Sequence, residues 1–196
     1  MGIFGRWLKK GEKPVVVPKE VPPVATKAFT SAWHLHRIAD NLNFANRTIT
    51  GYEELVNEIG PGLSEYYVKS AFESKAEEAL SSLRAASGYE SGLHEEIEAL
   101  EKELKELGAV KEYKQLTQRE QTAIAFAAEL SAETKKIIDT IDDLRPLIKA
   151  KETNWTKIKA KLTEIKKNID EALDHLNVIS SLVAQLLKIK QKMRAA

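Results

Sequence analysis

Residues 155–193 read WTKIKAKLTEIKKNIDEALDHLNVISSLVAQLLKIKQKM, and this stretch decides the fold. Trp155, Ile158, Leu162, Ile165, Ile169, Ala172, Leu176, Ile179, Val183, Leu186, Lys190 and Met193 follow one another at alternating steps of three and four, and all but Lys190 are apolar. Such a period, with no Gly or Pro inside it, lays one continuous hydrophobic seam along a helix, and the seam must be buried against other helices. At about 1.5 Å per residue the helix is a rod about 60 Å long. Leu173, Leu182, Leu187 and Ile189 add a second apolar line beside the seam, so the helix is expected to face two neighbours.

Upstream the same period recurs between breaks. Ile137, Ile138, Ile141 and Leu144 continue a helical pattern to Pro146, which is expected to kink or end its helix. Leu93, Ile97, Leu100, Leu104 and Leu107 step by four and three toward Gly108, a C-cap candidate. Residues 87–92, SGYESG, read as a turn, and residues 63–86 as a helix with Tyr67, Ala71, Leu80 and Leu83 inward. Gly60-Pro61-Gly62 is a break. Before it, Ala28, Ala32, Leu35, Ala39, Leu42 and Ile49, widened by Phe29, Trp33 and Phe44, mark a helix from Thr26 to Thr50-Gly51. No β-hairpin signal occurs, so the expected class is all-α: an elongated helical bundle or coiled coil over residues 26–196.

The chain of 196 residues is 43% hydrophobic and 30% charged, as a folded, solvent-facing protein is. It has no cysteine, which excludes disulfides, thiolate metal sites and cysteine nucleophiles and fits a reducing, cytoplasmic compartment. The sequence has no run of about 18 apolar residues and no secretory signal pattern. Net charge is +1 but uneven: residues 1–25 carry five basic and two acidic side chains, residues 26–148 fourteen and 22, and residues 149–196 eleven and five. Basic ends on an acidic middle favour anionic surfaces or head-to-tail contacts between subunits of a homo-oligomer.

Residues 1–10, Met-Gly-Ile-Phe-Gly-Arg-Trp-Leu-Lys-Lys, place Ile3, Phe4, Trp7 and Leu8 on one arc of a helical wheel and Arg6, Lys9 and Lys10 opposite. Apolar groups of this kind sink below lipid headgroups while each cation gains about 1 kcal/mol at an anionic surface. Ten residues do not hold a helix alone in water, so binding is coupled to folding and gains from many copies. The other reading of this segment, residues 1–12, is a hook into a protein partner. Residues 13–25, with four prolines and five valines, form an extended linker. Arg6 stands where N-myristoylation wants Ser or Thr.

Met1-Gly-Ile-Phe, with Arg6 two places on, resembles the start of the phage-shock protein A and ESCRT-III-type membrane-remodelling proteins. The resemblance covers about ten residues and implies a short amphipathic helix ahead of long coiled helices that polymerise on membranes. In that family a helical hairpin follows almost at once; here the Pro/Val linker intervenes.

Catalytic patterns are poor. His34 and His36 point to nearly opposite sides of a helix, and Glu171 with His175 is a single pair, so no metal site or other cofactor is expected. The chain has no phosphate-binding Gly-rich loop, no Gly-x-Ser-x-Gly elbow and no His-Glu-x-x-His motif. Glu95, Glu96, Glu98, Glu101 and Glu103 read as the wet face of their helix. Lys188, Lys190, Lys192 and Arg194 read as a solvated basic tail, and the acidic middle argues against nucleic acid as a partner. The expected function is therefore non-enzymatic and structural: a peripheral, membrane-associated scaffold or self-assembling subunit held by its basic amphipathic helix. The alternative is a soluble adaptor or structural subunit of a virion or multiprotein complex, with the N-terminal segment docked on a protein partner.

Overall fold

The structure, a computed structural model, describes residues 23–60, 62–116 and 118–195. It is an all-α bundle of four long helices, α1 (Pro23–Asn57), α2 (Glu65–Glu106), α4 (Gln118–Lys149) and α5 (Trp155–Ala195), with a single turn, α3 (Val110–Tyr113), between the second and third. α1 packs on α2 and α5, and α4 packs on the same two helices, with a lesser diagonal contact between α2 and α5. Consecutive long helices run antiparallel. Ser31 of α1 meets Glu96 of α2, while Tyr52 at the other end of α1 meets Val68 and Phe72. Glu90 meets Thr134, and Glu73 meets Arg145. Asp143 meets Lys161, and Glu133 meets His175. The topology is up-down-up-down, the arrangement that short connections favour.

The α5 seam is the inner edge of this bundle. From Ile158 to Lys190 every seam residue is buried, and only the end residues Trp155 and Met193 are half-exposed. Asn154 caps the helix by accepting from the Lys157 N–H at 3.0 Å. Leu182 is buried, and Leu173, Leu187 and Ile189 are partly buried against the core, so α5 does face more than one neighbour.

α2 carries a second seam that the expected turn at 87–92 conceals. Val68, Phe72, Ala76, Ala79, Leu83, Ala86, Glu90, Leu93, Ile97, Leu100 and Leu104 are all buried, and they step by fours and threes straight through the two glycines. The helix is unbroken because the apolar phase is unbroken, and packing outweighs the roughly 1 kcal/mol that each interior Gly costs. Gly92 has a packing role: a Cβ there would lie 2.7 Å from Cε1 of His34, so the missing side chain lets the α1 imidazole pack on the α2 backbone. Gly88 meets nothing within 4 Å.

The other breaks behave differently from one another. α1 begins at Pro23, where a first-turn proline costs no hydrogen bond, and runs through Gly51 to Asn57, past the expected end. Gly60, at φ +99°, turns the chain, and Ser64 caps α2 by accepting from the Tyr67 N–H. At the far end the Gly108 N–H donates to the Lys105 carbonyl and the Ala109 N–H to the Leu104 carbonyl, with Gly108 at φ +74°, which is a Schellman motif. Pro146 lies inside α4, which continues to Lys149. It sits within one turn of the end, where losing one backbone bond ends nothing.

The inward stripe of α1 is Ile38, Leu42, Ala45, Ile49, Tyr52 and Val56, rotated from the expected one. Trp33 and Phe44 consequently point outward, 43% and 44% exposed. Tyr67, expected inside α2, is also exposed.

Gly88→Ala is expected to stabilise the bundle by about 1 kcal/mol, raising Tm by roughly 2–4 °C. Gly92→Ala, which must displace His34, is expected to fall short of that gain or to destabilise. Thermal unfolding of the two variants separates them, and equal gains would refute the packing role of Gly92.

Candidate functional site

The seven residues expected to bind a membrane or partner, Ile3, Phe4, Arg6, Trp7, Leu8, Lys9 and Lys10, lie outside the described residues, as does most of the linker. The described body contributes three features: a polar position in each long seam, an aromatic outer face on α1, and a notch at one end of the bundle.

Lys190, the one charged residue in the α5 seam, is 1% exposed and donates from Nζ to the carboxylate of Glu103 on α2. This corrects two expectations. Lys190 is no part of a solvated basic tail, and Glu103 is no part of a wet face. Glu96 also turns toward α1, accepting from the Ser31 hydroxyl at 2.7 Å and lying 3.6 Å from His34 Nδ1. Glu95 and Glu98 remain exposed. The acidic run is split because a helix presents successive residues about 100° apart, so one run faces a neighbour at some positions and solvent at others.

Glu90 is the matching feature of α2: a carboxyl at a seam position, 2% exposed, accepting from the Thr134 hydroxyl of α4 at 2.5 Å. Burial pushes its pKa up to about 7; hydrogen bonds from Thr134 and Ser131 pull it down, and Glu133 pushes it up. Glu133 itself pairs with His175 of α5 at 2.9 Å. Thus His175 reaches across to α4, while Glu171, four residues before it, pairs with Lys167. His34 and His36 do diverge: His34 is tucked against Gly92 and Tyr89, and His36 is exposed beside Asp40. Among the described residues no three His, Asp or Glu side chains converge as a metal site requires.

On the outer face, Trp33 stacks edge-on against Tyr89 of α2, centroids 5.1 Å apart, and the Arg37 guanidinium lies 5.6 Å from the Tyr89 centroid. Arg37, Asp40, Phe44 and Arg47 continue along the same side of α1. The notch lies between α1, α2 and α5 and is lined by Ser31, Glu96, Ala99, Leu100 and Leu187, with a volume of about 150 Å³.

The α5 seam was legible in the sequence, as was α2 from Leu93 to Leu104; Val68, Phe72, Ala76 and Ala79 were not, because Tyr67 and Ala71 read as the inward stripe there, and neither was Glu90, because two flanking glycines suggested a turn. The signal that finds it is the unbroken spacing from Ala86 through Glu90 to Leu93. Among the described residues no helix is long and apolar enough to cross a membrane. The chain matches no protein-family model, no curated protein and no solved structure.

Glu90 is expected to make stability pH-dependent. Its carboxyl binds a proton up to about pH 7 in the folded protein but only to about its ordinary value of 4.5 in the unfolded chain. The folded state therefore holds more protons in that window, and about 3 kcal/mol of stability present below 4.5 is lost as pH rises through 7. Glu90→Gln should flatten this fall in urea unfolding, and unchanged profiles would show that Glu90 is not held neutral. Glu103→Ala, which strands the Lys190 ammonium, should cost about 3 kcal/mol, whereas Lys190→Met combined with Glu103→Leu should be near neutral. Equal costs for the two would refute a buried pair.

Proposed function

We propose that the protein is a non-enzymatic, self-assembling structural subunit that attaches peripherally to anionic membranes through residues 1–10. The observation carrying this reading is the sequence of that tip: four apolar side chains on one arc, three cations and no acid opposite, ahead of a Pro/Val linker. The bundle suits the role as a stiff body about 60 Å long that spaces its tip from its far end. The likeness of the tip to the start of phage-shock protein A and ESCRT-III-type proteins supports the same reading. One tip binds weakly, so assembly into an array supplies the affinity through multivalency.

The outer face of α1 favours a protein contact as the means of assembly. Trp33, Phe44, Arg37 and Arg47 stand together there, and Trp and Arg are the residue types that most often carry binding energy at interfaces. This is also the face that an adaptor or particle subunit would use.

Flotation of the full chain with phosphatidylserine-containing and neutral vesicles tests the reading. The chain is expected to float only with anionic vesicles, to lose flotation on Trp7→Ser, and to lose it progressively with salt. Flotation unaffected by Trp7→Ser would refute the tip as the anchor. Phe44→Glu is expected to reduce sedimentation size without changing helicity.

A further inference from the structure

A second stripe runs along α1 on the side turned away from the core: Trp33, Arg37, Asp40, Phe44, Arg47 and Glu54, all exposed, step by fours and threes with Gly51 between the last two. Its charges alternate, positive at Arg37, negative at Asp40, positive at Arg47 and negative at Glu54, and Phe44 stands at their centre. A series of this kind is complementary to its own reverse: an antiparallel copy sets each cation against an anion, and a parallel copy sets each charge against its like. We infer that the outer stripe of α1 is the contact of a two-fold dimer, in which two copies of this chain pack α1 on α1 antiparallel and cross at Phe44. This rests on the self-assembly reading above and names the occupant of that face. Two acids on the stripe oppose an anionic bilayer as the occupant instead.

With the axis at Phe44, positions equidistant from it in sequence face one another. Asp40 and Arg47, four before and three after, form two symmetric ion pairs. The two Arg47 side chains start about 9 Å apart along the helix and the two Asp40 side chains about 12 Å, so like charges are kept separate. Arg37 faces Gly51 of the second copy, one turn short of its Glu54. The guanidinium already leans toward that level, lying 5.6 Å from the centroid of Tyr89, the ring that also meets Trp33. Phe44 of each copy enters a hollow on the other, floored by Asn43, Asn46, Thr50 and Gly51 and rimmed by Asp40, Arg47 and Glu54.

The charges beside the stripe are compatible with this register. His36 meets Asp40 on its own helix at 3.2 Å, Lys75 meets Glu78 on α2 at 3.0 Å, and Lys166 of α5 meets Glu53 at 2.6 Å. Asp170 of α5 accepts from Asn46 at 3.0 Å, adding an acid at the edge of the hollow near Arg47. Glu58, one turn beyond Glu54, adds another at the end that Arg37 faces. Ala85 and Ser82, one and two turns before Tyr89 on the same side of α2, are small and uncharged, leaving room for the second copy.

The stripe is about 33 Å long and one helix wide, so it covers on the order of 350 Å² per copy, against about 800 Å² in a standard interface. The pair is therefore weak and concentration-dependent. It sets Pro23 of the two copies about 63 Å apart, at opposite ends of the dimer. On the membrane reading, each dimer then carries two tips in place of one, which raises avidity without a new lipid contact.

Sedimentation velocity of the full chain from dilute to near-millimolar solution tests the contact, and the native chain is expected to dimerise as concentration rises. Asp40→Arg and Arg47→Asp, both at exposed positions, each set like charges face to face and are expected to weaken association at least about tenfold with helicity unchanged. An equimolar mixture of the two variants restores every pair, because one copy then carries only cations at these positions and the other only acids, and is expected to recover the association. The chain has no cysteine, so Asn57→Cys, also exposed, carries a single nitroxide that leaves both ion pairs intact. The two labels of a dimer are expected about 40 Å apart, whereas a parallel pair brings them side by side. A native chain that stays monomeric at every concentration overturns the inference and leaves the face to another protein. Association that neither charge reversal weakens, or that mixing fails to restore, overturns it while self-assembly through another face stands. Labels side by side overturn it as well. The expected dimer without flotation on anionic vesicles supports the inference and removes the membrane reading instead.

Discussion

Burial of two heptad seams is the constraint on which the structure depends. The α2 seam from Val68 to Leu104 and the α5 seam from Ile158 to Lys190 run parallel and diagonal to one another, and α1 and α4 close the two remaining corners. Neither seam can be left in water. α2 and α5, of 42 and 41 residues, together set the length of the bundle, and the connections make consecutive long helices antiparallel neighbours. The Schellman turn at Gly108 stops α2 where its seam ends, with Leu104 and Ala109 both buried.

Each seam contains one polar residue, Glu90 in α2 and Lys190 in α5, and their solutions differ. Lys190 is neutralised by an ion pair with Glu103. Glu90 is relieved by the Thr134 hydroxyl, while burial pushes its pKa up to about 7. Both arrangements exist only when α2 is in register with its neighbours, because a shift by one turn, about 5.4 Å, would leave the buried group without its partner. A lone polar residue at a seam position is a known means of fixing register at some cost in stability. These two residues thus discriminate against slipped packings that the apolar residues would tolerate.

The parts of the body that face outward follow from the same packing. Once Ile38, Leu42 and Ile49 commit α1 to the core, Trp33 and Phe44 are left on the opposite side, and Gly92 admits His34 beside Tyr89. The aromatic outer face is therefore a consequence of how α1 and α2 meet.

The fold class, the long C-terminal helix and its buried residues were determined by the sequence by itself, since periodicity is a local property that needs no knowledge of the partner. So was the amphipathic character of residues 1–10, which is a matter of spacing and charge. Only the tertiary structure decided that residues 87–92 are helical, because glycine lowers local propensity and the packing that overrides it comes from α1 and α4. It alone decided which acids of the 95–106 run meet a neighbour, that Lys190 is buried, that His175 pairs with Glu133, and that Trp33 and Phe44 face out. Each of these depends on the rotation of one helix against another, a quantity set by the fit of side chains across elements distant in sequence.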